Sequence, residues 1–116
     1  MDNGSAIFHN DMLMSSEWPS FLAKLAQSRH GQPIEIEQDG SLLLQHSPGR
    51  PALLQGIELR AGHKQQALVI TTTAQTHTIE SPNLIWAVRN GPGELVAVEI
   101  LDTQERKFIM RFVSEE

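Results

Sequence analysis

The chain has 116 residues, 40% of them hydrophobic and 20% charged, with a formal net charge of −5 and no cysteine. That is the size and composition of one globular, soluble domain, which on folding buries roughly two thirds of its unfolded surface. Disulfides, thiolate nucleophiles and cysteine-ligated metals are excluded, and nine basic residues that cluster no further than Arg106-Lys107 argue against nucleic-acid or anionic-membrane partners.

Residues 1–14, MDNGSAIFHNDMLM, follow neither the helical nor the strand period. They read as a flexible N-terminal tail ahead of a single α+β domain over 15–116, with Ile7, Phe8 and Leu13 able to dock on its body. No basic residue precedes Lys24, and the longest apolar run, Leu84 to Val88, is too short for a bilayer. Neither a signal peptide nor a membrane span is expected, and the expected location is cytoplasmic.

The segment SSEWPSFLAKLAQSRHG, residues 15–31, places Trp18, Phe21, Leu22 and Leu25 on one helical face. Ser16 is the expected N-cap, with Pro19 in the first turn and Glu17 at the positive end of the dipole; because Trp18 precedes a proline, a start nearer Pro19 is equally open. Gly31 supplies the left-handed residue that ends the helix, giving a helix over about 16–30.

Strands follow. Pro33 to Glu37 alternates with period two, and Gln38-Asp39-Gly40-Ser41 is a type I′ hairpin signal into Leu42 to Gln45. Ser47 to Pro51 is a turn, Leu53 to Arg60 a strand, and Gln66 to Thr72 another. The threonine-rich stretch Thr71 to Ile79 predicts two strand ends around a bend. Leu84 to Val88 is too short to separate a strand from a helical turn, and Gly91-Pro92-Gly93 reads as a turn, since phosphate loops run from strand to helix and use the N–H that proline lacks.

The last hairpin permits a register argument. Val96, Val98 and Ile100 share one face and Phe108, Met110 and Phe112 another, so the faces coincide only if paired positions sum to an even number, for example Ile100 with Phe108 and Val98 with Met110. That requires an odd loop such as Thr103-Gln104-Glu105, or a bulge.

Candidate chemistry is sparse. The histidines His9, His30, His46, His63 and His77 show no metal-ligand spacing, no serine has nucleophile-elbow context, and Glu35 and Glu37 read as a solvated strand face. No metal or cofactor is expected. Trp18 and Trp86 are two of six aromatic residues, so each either fills the core or, if exposed, anchors an interface.

The order Ser16-Glu-Trp-Pro-Ser-Phe-Leu22, Gly31-Gln-Pro-Ile-Glu35, His77-Thr-Ile-Glu-Ser-Pro82 and Val98-Glu-Ile-Leu-Asp102 resembles that of a family of small uncharacterised bacterial proteins. The resemblance spans most of residues 16–113, implies a bacterial source and carries no catalytic residues.

The fold expected is α+β: an N-terminal amphipathic helix packed on a mostly antiparallel sheet of about six to eight strands, curling toward a partly open barrel. A helix ahead of a bent sheet also fits Sm-like RNA binders, against which the acidic balance and the missing basic, aromatic strand both count. The first functional reading is a non-enzymatic protein-interaction or regulatory module that acts through a sheet edge or exposed face on a protein partner or on a second copy as a homodimer. The alternative is a small-molecule-binding protein or minor enzyme with a pocket lined by His77, Glu80 and Arg89 near Trp86.

Overall fold

The computed structural model describes residues 8–62 and 65–113. Nine strands and one α-helix are found among them, in the order β1 (His9–Met12), α1 (Trp18–Ser28), β2 (Ile34–Gln38), β3 (Ser41–Leu44), β4 (Leu54–Ala61), β5 (Gln66–Thr72), β6 (Thr76–Glu80), β7 (Pro82–Arg89), β8 (Leu95–Asp102) and β9 (Lys107–Phe112). The class is α+β, but the expected single sheet is two. A six-stranded sheet runs β1-β7-β8-β9-β2-β3 and a three-stranded one β4-β5-β6, with every pairing antiparallel and no closed barrel.

Part of the segment read as a tail is a strand. His9–Met12 pairs with β7 as an edge of the large sheet, and Leu13 N–H donates to Ile85 O at 2.9 Å. Such a strand needs only backbone donors and acceptors facing an open neighbour, which is why no side-chain alternation marks it. Residues 1–7 lie outside the described residues.

The helix is shorter than its sequence signal. Ser15–Glu17 form a single 3-10 turn, and the α-helix proper begins at Trp18, which adopts φ −56°, ψ −49° despite the proline after it. The expected Ser16 cap is replaced by Glu17, whose Oε1 accepts the Met14 N–H at 2.9 Å. Arg29 N–H closes the last turn on Leu25 O at 2.9 Å, and Gly31 stops the chain at φ +86°. The stripe Trp18, Leu22 and Leu25 is buried, and α1 packs against β4.

Between the sheets lie Ile34, Ile36, Ile85, Val98, Ile100 and Met110 from the large one and Leu54, Leu68, Ile70 and Ile79 from the small one, all but sealed from solvent. Asp39 at φ +48° and Gly40 at φ +89° make the predicted β2–β3 turn. In the last hairpin Ile100 lies opposite Phe108 and Val98 opposite Met110, as the parity argument requires. Asp102 N–H bonds Arg106 O at 3.1 Å, and Glu105 at φ +65° turns the three-residue loop Thr103-Gln104-Glu105. The ambiguous segment 84–88 lies within the eight-residue strand β7.

Between β6 and β7 the chain returns to the large sheet at one residue. Ser81 stands at φ +52° between β6 and β7; its N–H donates to Gln66 O of the small sheet at 2.9 Å, and its carbonyl accepts Thr103 N–H beside the large one at 3.0 Å. The left-handed conformation costs a β-branched residue most. Ser81→Val is therefore expected to lower unfolding free energy by about 1–2 kcal/mol in urea titration. An unchanged midpoint would mean that the switch relaxes without strain.

Candidate functional site

The two sheets meet along a seam that no backbone ladder closes. On one side is β3, the far edge of the large sheet, and on the other is β6, the free edge of the small sheet. Among the described residues no backbone hydrogen bond joins them; the bridge is the Gln75 amide, whose Nε2 lies 3.2 Å from Leu43 O and 2.7 Å from His77 Nε2. An amide nitrogen only donates, so the ring nitrogen accepts and the imidazole is neutral. Partial burial also pushes His77 below its ordinary value.

A groove follows this seam in two hollows. One, of about 350 Å³, is lined by Leu43, Gln45, Ser47, Arg50, Ala74 and Gln75 among others. The second, of about 220 Å³, lies between Ile36, Leu43 and Phe108 on one wall and His77 and Glu80 on the other, with Arg106 at its rim. Leu43 belongs to both hollows, and Leu42 and Leu43 are 49% and 41% exposed. A register shift in β2–β3 between Ile36 and Glu37, which places two β3 residues against one, accompanies this exposure.

His77 and Glu80 therefore share one hollow, as grouped from the sequence, but Arg89 and Trp86 do not join them. After Ser81 the chain runs extended, and the seven steps from Pro82 to Arg89 carry it about 23 Å along the large sheet. Arg89 lines a different hollow with Phe21, Lys24, Arg29 and Glu94, donates to Gly93 O at 3.3 Å and pairs with Asp11 at 3.7 Å. Trp86 lies opposite Glu99 and Met12, on the large sheet's outer face. Trp18 is 5% exposed in the core, with its Nε1–H directed at Leu13 O at 3.4 Å, so it has no free surface to offer a partner. Arg106, which reasoning along the chain missed, reaches the groove only because the β8–β9 turn folds against β6.

The charged outer face of the large sheet is self-paired. Arg111 lies 3.1 Å from Glu37 and 3.9 Å from Glu35, and Lys107 lies 3.6 Å from Glu99. Among the described residues no three histidine or carboxylate side chains are placed to hold a metal ion, and no helix is long and apolar enough to cross a membrane.

The arrangement of helix, split sheet and C-terminal hairpin is spanned by a single family profile, the Family of unknown function (DUF5335), which matches residues 9–116. The chain belongs to the DUF5335 family. The match begins at the first residue of β1, so that strand falls within the DUF5335 profile, and it takes in the segments on which the sequence resemblance rested. Comparison with curated proteins and with solved structures finds no match for this DUF5335 chain.

Proposed function

We propose that the protein is a non-enzymatic interaction module that takes up an extended segment of a partner polypeptide along β3, in the groove facing β6. The observation that carries this reading is the pair Leu42 and Leu43, exposed on an edge strand that faces a second unpaired edge. Soluble proteins blunt such edges with lysine, proline or a covering loop, and β3 (SLLL) has no lysine or proline.

The hairpin indicates which backbone groups are free. Gln38 and Ser41 flank the two-residue turn and form its hydrogen-bonded pair, so Leu42, opposite Glu37, directs its N–H and C=O away from β2. An added strand would meet those groups, set an apolar side chain against Leu43, and find polar contacts at His77, Glu80 and Arg106. The bacterial cytoplasm suggested by the sequence is the setting in which we place this activity.

Selection of random linear peptides displayed on phage tests the reading. Sequences with alternating apolar residues are expected to bind the protein and to lose at least about tenfold in affinity for Leu42→Pro, which removes an outward N–H without touching the β2 ladder. Bound peptide should also slow amide exchange at Leu42. Peptides that bind Leu42→Pro equally well, or a selection that yields none, would overturn it.

A further inference from the structure

The opposite edge of the large sheet has a more restrictive geometry. All four residues of β1 are exposed, and Phe8 and Met12 are 57% and 59% accessible. Because Leu13 N–H bonds Ile85 O, the odd residues of this strand direct their backbone groups toward β7, and the even residues Phe8, Asn10 and Met12 direct theirs outward. At Met14 the edge ends, since its N–H is held by Glu17 Oε1 and its carbonyl by Glu17 N–H.

We infer that β1 pairs antiparallel with β1 of a second copy about a two-fold axis through Asn10, joining two six-stranded sheets into one. A two-fold axis normal to the sheet keeps each residue on its own face, so opposed residues must both be even or both be odd. Every residue-centred axis meets that condition, and those nearest the middle of the strand fall at His9, Asn10 and Asp11. An axis at His9 leaves Met12 beyond the described partner strand. An axis at Asp11 sets two carboxylates against each other and opposes Phe8 to Met14, whose backbone groups are already used. An axis at Asn10 pairs every outward residue: Phe8 with Met12 of the second copy, Asn10 with Asn10, and Met12 with Phe8.

The side chains favour the same register. His9 falls opposite Asp11 of the second copy in a pair that is not hydrogen-bonded through the backbone, where side chains approach closest, and this matches an imidazole with a carboxylate twice. On the other face Phe8 meets Met12, which lies opposite Trp86. Phe8 also lines a hollow of about 350 Å³ with Val88, Val96, Ala97, Ile109 and Phe112, bordered by the ion-paired Glu99 and Arg111, so apolar surface continues beside the junction. Like β3, this edge carries neither lysine nor proline. An interface built on one short strand is small, so the dimer exchanges with monomer on dilution.

The chain has no cysteine, which makes a site-directed cross-link decisive. A hydrogen-bonded antiparallel pair holds its Cα atoms about 5.5 Å apart, within the range a disulfide spans. Asn10→Cys is therefore expected to oxidise to a covalent dimer at least about tenfold faster than Met12→Cys, whose two copies would lie about 13 Å apart along the strands. Sedimentation equilibrium of the unmodified protein should approach twice 12.9 kDa at high concentration, and Asn10→Pro, which removes only an outward N–H, should return it to 12.9 kDa. Equal oxidation rates for the two cysteine variants, or an unmodified protein that sediments at 12.9 kDa up to millimolar concentration, would overturn the inference.

Discussion

Asp102→Ala is expected to lower the unfolding free energy by about 2–4 kcal/mol, with the loss read from urea denaturation at neutral pH. Asp102 is the sole charged side chain in the core among the described residues, at 1% exposure. Its Oδ1 accepts the N–H of Gln104 at 2.9 Å and of Arg106 at 2.8 Å, and its Oδ2 accepts Arg106 Nε–H at 2.7 Å. Burial alone would push the carboxyl upward, but the Arg106 and Gln104 donors together with the guanidinium outweigh it and hold the group below its ordinary 3.8. The Arg106 side chain remains 43% exposed, so truncating Asp102 strands no fully buried cation, and the loss stays below that of breaking a fully buried pair.

The depressed value fixes the sign of the pH dependence. The ionised form is favoured by folding, so the contribution is complete above 3.8 and is lost as pH falls through the lower folded value. Asp102→Asn keeps an acceptor for the two backbone donors and should cost less, about 1–2 kcal/mol at neutral pH. Its stability difference from the unmodified protein should shrink as the medium is acidified below pH 3.8. A difference constant with pH would show that the carboxylate does not carry its charge into the folded state.

Trp18→Ala should be the largest single loss on α1, about 3–5 kcal/mol by thermal or urea denaturation. The indole is 5% exposed and lies in one core cluster with Leu22, Leu25, Leu54 and Ile57, so truncation leaves a cavity that α1 and β4 can only partly collapse. Trp18→Phe keeps most of the volume and loses the Nε1–H contact with Leu13 O, and should cost less than half as much. An interface anchor behaves in the opposite way: its truncation leaves the monomer's melting temperature unchanged and weakens binding. Near-native stability of Trp18→Ala would return this residue to the surface role that its burial denies it.

What could be read along the chain was set by constraints that act along the chain. The Trp18, Leu22, Leu25 stripe and the β8–β9 register both follow from periodicity against one buried face, where a one-residue slip would bury Lys107 and Arg111. The Asp39-Gly40 turn follows from backbone chemistry that few residues tolerate. β1 was not legible, because His9-Asn-Asp-Met12 has no alternation and is held by main-chain bonds to Ala87, Arg89 and their neighbours rather than by burial. The return from the small sheet to the large one rests on a left-handed Ser81, a conformation that serine does not advertise. At the groove, His77 and Glu80 are three residues apart and could be grouped on sight. Leu43 and Arg106 come from other strands and meet them only through the fold.

The position of β2 has a consequence for how this chain acquires its structure. Its hairpin partner β3 follows at once, whereas Arg111 of β9, which pairs with Glu37, arrives 74 residues later. At ordinary synthesis rates that interval is about 4–15 s, during which Ile34 and Ile36 have one neighbouring strand instead of two. Closure of the core therefore waits on β9. The ladders that must form across the greatest sequence distances, β2–β9 and β1–β7, carry the largest loop-closure cost and set a slow folding step. A ribosome stalled before Phe108 would hold an apolar hairpin with one unpaired flank on each side, the species most exposed to capture by chaperones or by other nascent chains.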